Sequence, residues 1–458
     1  MNEHLSIKEL KKMYKDYFNK GQVSLLSKLA FSNEKIAHAK GCYISTESGL
    51  NIFDMTSGFG TQNLGYNNDE IISVRKEFIE SNKLPFSRLF FDENIAQLSS
   101  KIAKILPGDM QYSFFANSGA EANEGAIKMA YKYFNGKKRI LIHGKNSFHG
   151  KLIATSQITD SSEVNFSFQK GLETQCLNLK NPDEIRNFVN ENKNNIYALI
   201  VEPFSASLAE PYSYKELENI QKICQEEEIL VIYDEVYSGF FRTGLFFYYM
   251  GSENLRPDVV TYSKSFGGGI SSIAGYTSTK KVFLASYGNQ SDALLHSSTY
   301  SNYVEECAIA LKTIEILEDS NFISKMNDSM SKLDYGINNL LKLKQVKSIT
   351  GTGFHYGIEF KKLNLLGIEK LIKLIPTGLT EDPRFIEKLY LSAIINELFL
   401  NHQILSYAGF NKKIKLIVSP PIISTTEEIK KMITSIEEVI SQNPVTLISK
   451  FVKSYFLN

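Results

Sequence analysis

The chain has 458 residues, 43% of them apolar and 22% charged, with a formal net charge of +1. That length buries a large core and predicts two or three domains, while near-neutrality excludes the electrostatic footprint of nucleic acid or an anionic membrane. Cys42, Cys176, Cys224 and Cys307 have neither zinc-ligand nor disulfide-framework spacing, no apolar run reaches a membrane span, and Met1 to Leu10 lack the order of a signal peptide. The expectation is a cytoplasmic protein acting on small molecules, with no nucleic-acid or membrane partner.

Residues 1–65 predict a short amphipathic helix around Ile7 to Phe18 and strands at Gly41 to Ser45 and Asn51 to Met55. These pieces cannot form a core alone, so the arm is expected to join a small domain made from both termini. A glycine-rich aromatic loop, Thr56 to Tyr66, follows, of the kind found near a ligand or an interface. Between residues 66 and 302, helical periods alternate with apolar strands at Tyr112 to Ala116, Arg139 to His143, Tyr197 to Glu202, Ile229 to Asp234, Asp258 to Tyr262 and Ile273 to Thr277. Strands this apolar are buried on both faces, and intervening helices imply a doubly wound, mainly parallel α/β sheet. Residues 303–458 change to long amphipathic helices (Glu305 to Glu318, Ile323 to Leu343, Pro383 to Asn401, Glu427 to Ser441), with strands at Phe354 to Phe360 and Ile414 to Ser419. That reads as a smaller α+β domain, with Lys361 to Thr380 a local insertion.

Chemistry gathers at the predicted strand ends, where open α/β sheets place ligands. Lys264 leads into the glycines 267–269, where missing side chains allow close approach of backbone and ligand. A desolvated lysine is a nucleophile toward carbonyls. Ser118-Gly119-Ala120 opens a helix after a strand, a seat for phosphate on free amides, or simply a capped helix. Phe148 could stack on a flat heterocycle, or fill the core. Asp234 ends a buried strand and needs a cation, such as a protonated ring nitrogen. The hydroxyl-rich stretch His296 to Asn302 offers further phosphate donors. Phosphate seat, ring stack, anion and amine are what pyridoxal 5′-phosphate requires.

The order and spacing of these segments resemble the class III aminotransferases of the fold type I pyridoxal-phosphate enzymes. The resemblance runs from Asp54-Met-Thr-Ser-Gly-Phe-Gly through Asn117-Ser-Gly-Ala-Glu-Ala-Asn-Glu, Val201-Glu202-Pro203, Asp234-Glu-Val, Arg242-Thr-Gly and Lys264 to Ser419-Pro420-Pro421-Ile. It implies that Lys264 bonds covalently to the cofactor and shuttles the proton, and that Asp234 keeps the pyridine nitrogen protonated. It also implies that Ser118, Gly119 and Ala120 hold the phosphate, Phe148 and Val236 flank the ring, Glu202 orders hydrogen bonds around it, and Thr299 reaches the neighbouring subunit's phosphate in a homodimer. The implied reaction is ping-pong transfer of an amino group from an amine or amino acid to an oxo acid or aldehyde. Other outcomes on the same cofactor are an aminomutase, a decarboxylating transferase or a non-catalytic regulatory protein.

Three departures bear on substrate. Tyr237 stands where many relatives have a glutamine that bonds the cofactor's phenolic oxygen, and Ser301-Asn302-Tyr303-Val304 replaces Gly-Gly-Asn-Pro. Relatives acting on α-keto acids carry a glutamate and an arginine that clamp or mask a substrate carboxylate. Here Ser207 and Ile417 take those positions. Losing both avoids stranding one buried charge. The expectation is an ω-amine, diamine, amino aldehyde or carrier-tethered substrate, unless another cation such as Arg88 replaces the clamp.

Overall fold

The structure, a computed structural model, describes residues 5–86, 89–160, 171–363 and 382–456. Near the N-terminus, β1 (Ile36–Lys40), β2 (Tyr43–Thr46) and β3 (Asn51–Asp54) form an antiparallel ladder. The predicted helix at Ile7 to Phe18 is α-helical only over Ile7–Met13, where Ser6 and Glu9 form a reciprocal capping box. A π-helical turn continues it over Tyr14–Phe18.

The centre is a seven-stranded sheet built from β4 (Met110–Ala116), β5 (Ile140–Gly144), β6 (Glu173–Leu177), β7 (Ile196–Val201), β10 (Leu230–Asp234), β11 (Val259–Tyr262) and β12 (Ala274–Thr279). A small hairpin, β8 (Phe204–Ser205) and β9 (Glu210–Pro211), follows β7. The sheet order is β4-β12-β11-β10-β7-β5-β6. Every residue of β7, Ile-Tyr-Ala-Leu-Ile-Val, is buried, which is why the run lacks polar alternation. The sheet is mainly parallel, as expected; its exception is β12, antiparallel to both β11 and β4. The connection over residues 263–273 holds Lys264 and the glycines and is too short to return the chain for a parallel strand.

The C-terminal part contains β13 (Val346–Thr352), β14 (His355–Phe360), β15 (Ile404–Leu405), β16 (Tyr407–Phe410) and β17 (Ile414–Val418). A four-stranded sheet runs β13-β14-β17-β16, while β15 pairs parallel with β3, so the N-terminal strands and the C-terminal part share a sheet. Long helices, Val304–Glu318, Ser320–Asn339, Phe385–His402 and Thr426–Ser441, lie close to their expected ranges. The helix Pro444–Phe456 was not anticipated. Most of the expected insertion, its residues 364–380, lies outside the described residues.

Candidate active site

The ends of β4, β5, β7, β10 and β11 bring the predicted chemistry together. The register sets Tyr233 beside Val201 and Asp234 beside Thr261, so Glu202 and Asp234 leave neighbouring strands at the same level. Asp234 is 4% exposed. Its Oδ2 accepts from Asn123 Nδ2 at 2.8 Å and His149 Nδ1 at 2.7 Å, and its Oδ1 accepts from the Val236 amide at 3.0 Å. Asn123 also donates to the His149 carbonyl and accepts from the Thr261 hydroxyl. These partners hold the carboxylate with lone pairs still available for a further donor. The sequence reading assigned no role to His149 or Asn123. Their signal was spacing: His149 follows Phe148, and Asn123 sits one helical turn after Gly119 on the sheet-facing side.

Glu202 accepts from the Phe148 amide at 2.7 Å and the Ala206 amide at 3.4 Å. Burial raises its pKa to about 7, opposed chiefly by His149. It thereby fixes the backbone beneath Phe148, whose ring remains 37% exposed. Beside Glu202 lies a cavity of about 270 Å³, lined in part by Asn146, Ser147, Ser205, Glu210 and Tyr212.

Lys264 follows β11 with φ +54°, in the left-handed region that costs a side-chain-bearing residue energy. Its Nζ lies 5.2 Å from the centroid of the Tyr237 ring. Burial lowers the amine pKa, Asp234 and Glu202 oppose that shift, and Arg242 adds to it. Two of the nearby glycines are required by packing. A Cβ on Gly268 would meet Thr313 Oγ1 at 2.8 Å, and one on Gly269 would collide with Gln62.

The helix Gly119–Tyr133 begins at the end of β4, where Ser118 Oγ accepts from the Glu121 amide at 3.3 Å. Capping leaves the Ser118 proton free to donate. The amides of Gly119 and Ala120 have no acceptor among the described residues. A Cβ on Gly119 would come within 2.6 Å of Val236, so the glycine lets this turn close against the residue after Glu235. Thr299 is exposed, and it is not among the hydrogen-bond partners of Asp234. Its segment is tied down by Asn302, at φ +55°, whose side chain and amide both bond the Phe115 backbone at 3.0 Å. This pairing accounts for the local change from Gly-Gly-Asn-Pro. Arg88 lies outside the described residues.

The side chains at the two missing clamp positions are neutral. Ser207 Oγ accepts from Asn411 Nδ2 at 2.8 Å, and Ile417 is wholly buried, its side chain pressed toward Gly409. Lys415, two residues before Ile417, is held by the Leu208 carbonyl (2.7 Å), Glu210 (2.8 Å) and Thr350 (2.8 Å). Burial lowers its pKa, and the Glu210 partnership opposes that shift.

Fold and site define a pyridoxal-phosphate enzyme of fold type I. The family model described as aminotransferase class-III matches residues 30–440, and the chain belongs to this family of aminotransferases. It is 30% identical over 421 residues to an acetylornithine aminotransferase from Haemophilus ducreyi, covering 89% of this chain and 94% of that one. An adenosylmethionine-8-amino-7-oxononanoate aminotransferase from Methanocaldococcus jannaschii is similar in structure with a TM-score of 0.81 and 25% identity, covering 94% of this chain and 98% of that one. A Pseudomonas jessenii ω transaminase solved in complex with PMP shares the fold at TM-score 0.77 and 22% identity, with 99% of each chain covered. The residues fit the cofactor: two unpartnered amides at a helix start suit its phosphate, a buried carboxylate suits its ring nitrogen, and a desolvated amine suits its aldehyde.

Proposed function

We propose that this aminotransferase takes amines lacking an α-carboxylate, of the ω-amine, diamine or carrier-tethered kind, and passes the amino group to an oxo acid or aldehyde. The neutral side chains of Ser207 and Ile417 at the clamp positions, and of Asn411 bonded to Ser207, carry this reading. A carboxylate placed there would lose water without gaining a charge-assisted partner. Lys415 cannot turn to meet it without abandoning three acceptors.

Bound pyridoxal phosphate supplies an aldehyde for the amine and an electron-withdrawing ring. In our reading Lys264 would hold the group through its amine, and its Nζ would carry the substrate proton. Asp234, oriented by His149 and Asn123, keeps a proton on the ring nitrogen. Ser118, Gly119 and Ala120 hold the phosphate, and Phe148 and Val236 flank the ring. Glu202 holds Phe148 in place. Thr299 serves the phosphate of a second subunit in a cytoplasmic homodimer.

The test compares half-reactions of one amine and its α-carboxylated analogue, followed by the absorbance of the bound cofactor. The carboxylate-free amine should react faster, and Ile417→Arg should shift preference toward the analogue. A strong wild-type preference for the α-amino acid, lost in Arg88→Ala, would instead make Arg88 the clamp.

A further inference from the structure

Hydrogen-bond direction along one chain of groups follows from its acceptors. The Ala206 carbonyl only accepts, so His355 Nε2, 3.0 Å away, carries the proton. His355 is fully buried, and burial holds its pKa down to about 3, so the ring is neutral and Nδ1 presents a lone pair. The Tyr237 hydroxyl, 2.6 Å from Nδ1, therefore donates to it. Ser419 Oγ, 3.0 Å from the same oxygen, donates to Tyr237 and accepts from Arg242 at 3.3 Å. The order runs from Arg242 through Ser419, Tyr237 and His355 to Ala206, whose amide donates to Glu202.

Tyr237 thus keeps no proton for a ligand in front of it. Toward Lys264 it turns its ring, with Nζ 5.2 Å from the centroid, inside the roughly 6 Å reach of a cation–π contact. A phenol that donates a hydrogen bond is polarised toward phenolate, which enriches its ring in electrons. The charged groups that act on Lys264 are Asp234, Glu202 and Arg242, and the imidazole of His355 faces it uncharged.

We propose that Tyr237, its proton committed to His355, is a positioning residue for Lys264 that supports the ammonium through its ring face instead of donating to the cofactor's phenolic oxygen. The proposal rests on Lys264 being the cofactor lysine. His355, from β14, belongs to this arrangement because it fixes the direction of the Tyr237 hydroxyl.

The experiment follows the pH dependence of the rate at which full-length, cofactor-free protein captures pyridoxal phosphate, then locates the reduced adduct by peptide mapping. Tyr237→Leu should lower the rate midpoint by about one pH unit, the size of a desolvated cation–π contact. Tyr237→Phe, which keeps the ring volume, and His355→Leu should each lower it by a smaller, similar amount, and their double variant by no more than Tyr237→Phe. Adduct on Lys264 with an unmoved midpoint in Tyr237→Leu overturns this inference alone. Equal shifts in Tyr237→Leu and Tyr237→Phe overturn it as well, since the hydroxyl would then be responsible. An upward shift of a unit or more in the absorbance titration of the Tyr237→Phe holoenzyme would show donation to the phenolic oxygen and overturn it too. Adduct on another lysine removes the cofactor-lysine assignment and this inference together.

Discussion

Lys264 is the residue whose loss should be absolute. Lys264→Ala is expected to abolish turnover, a fall of several orders of magnitude, because among the described residues Lys264 is the lysine on which both Asp234 and Glu202 act. Pyridoxal phosphate should still bind through the helix start at Ser118, seen as retained absorbance after gel filtration. A second prediction concerns Gly119: Gly119→Val should cost about 1–3 kcal/mol in urea unfolding, since its Cβ would press within 2.6 Å of Val236. It should also weaken cofactor retention more than Ala120→Ser does. At this scale the placement of Lys264, Asp234, Ser118, Phe148 and Glu202 near strand ends was legible because each stands in a local pattern. The roles of His149 and Asn123 were not, because both depend on side chains meeting across separate elements. His355 was equally hidden, 118 residues from the tyrosine it bonds.

Among the elements, the turn after β10 has its own pH dependence. Glu235 is buried and accepts from the Tyr248 amide (3.1 Å), the Tyr249 amide (2.9 Å) and the Ser238 hydroxyl. Burial nevertheless raises its pKa from 4.5 to about 7. Its folded value lies above its unfolded one, so its contribution is fully present below about pH 4.5 and is lost as pH rises through about 7. Over that window the wild type should lose up to about 3 kcal/mol relative to Glu235→Gln, measured as the difference in urea unfolding free energy. A flat difference would show that the three donors already hold the carboxylate charged. Central strands were readable from their continuous apolar runs. The strands β1, Ile-Ala-His-Ala-Lys, and β6, Glu-Thr-Gln-Cys-Leu, were missed because both are sheet edges carrying polar residues, with no burial pattern to find. The antiparallel turn of β12 was written only in the shortness of its connection.

For the whole molecule, Leu89, Phe91, Leu294 and Tyr300 expose apolar side chains, Tyr300 directly follows Thr299 in the chain, and Phe86 touches Tyr300 with ring centroids 6.2 Å apart. Exposed apolar surface of this kind marks an interface. The expected outcome is a dimer by sedimentation, and recovery of activity when Lys264→Ala subunits are exchanged with Thr299→Val subunits, because one hybrid site then holds both native residues. No recovery after verified exchange would leave Thr299 serving its own subunit.

Arg242 extends the same logic from space to time. It is completely buried, and its guanidinium donates to Ser57, Asn63, Ser419, Pro420 and the Phe354 carbonyl. Ser57 precedes it by 185 residues and Pro420 follows it by 178. A guanidinium without those acceptors stays hydrated rather than buried. During synthesis the loop that carries Tyr237 and Arg242 therefore cannot settle until residues near 420 have left the ribosome, although Lys264 emerges long before. The amine is made early and its pocket late, so a chain stalled short of residue 420 would carry the reactive lysine without the enclosure that directs it.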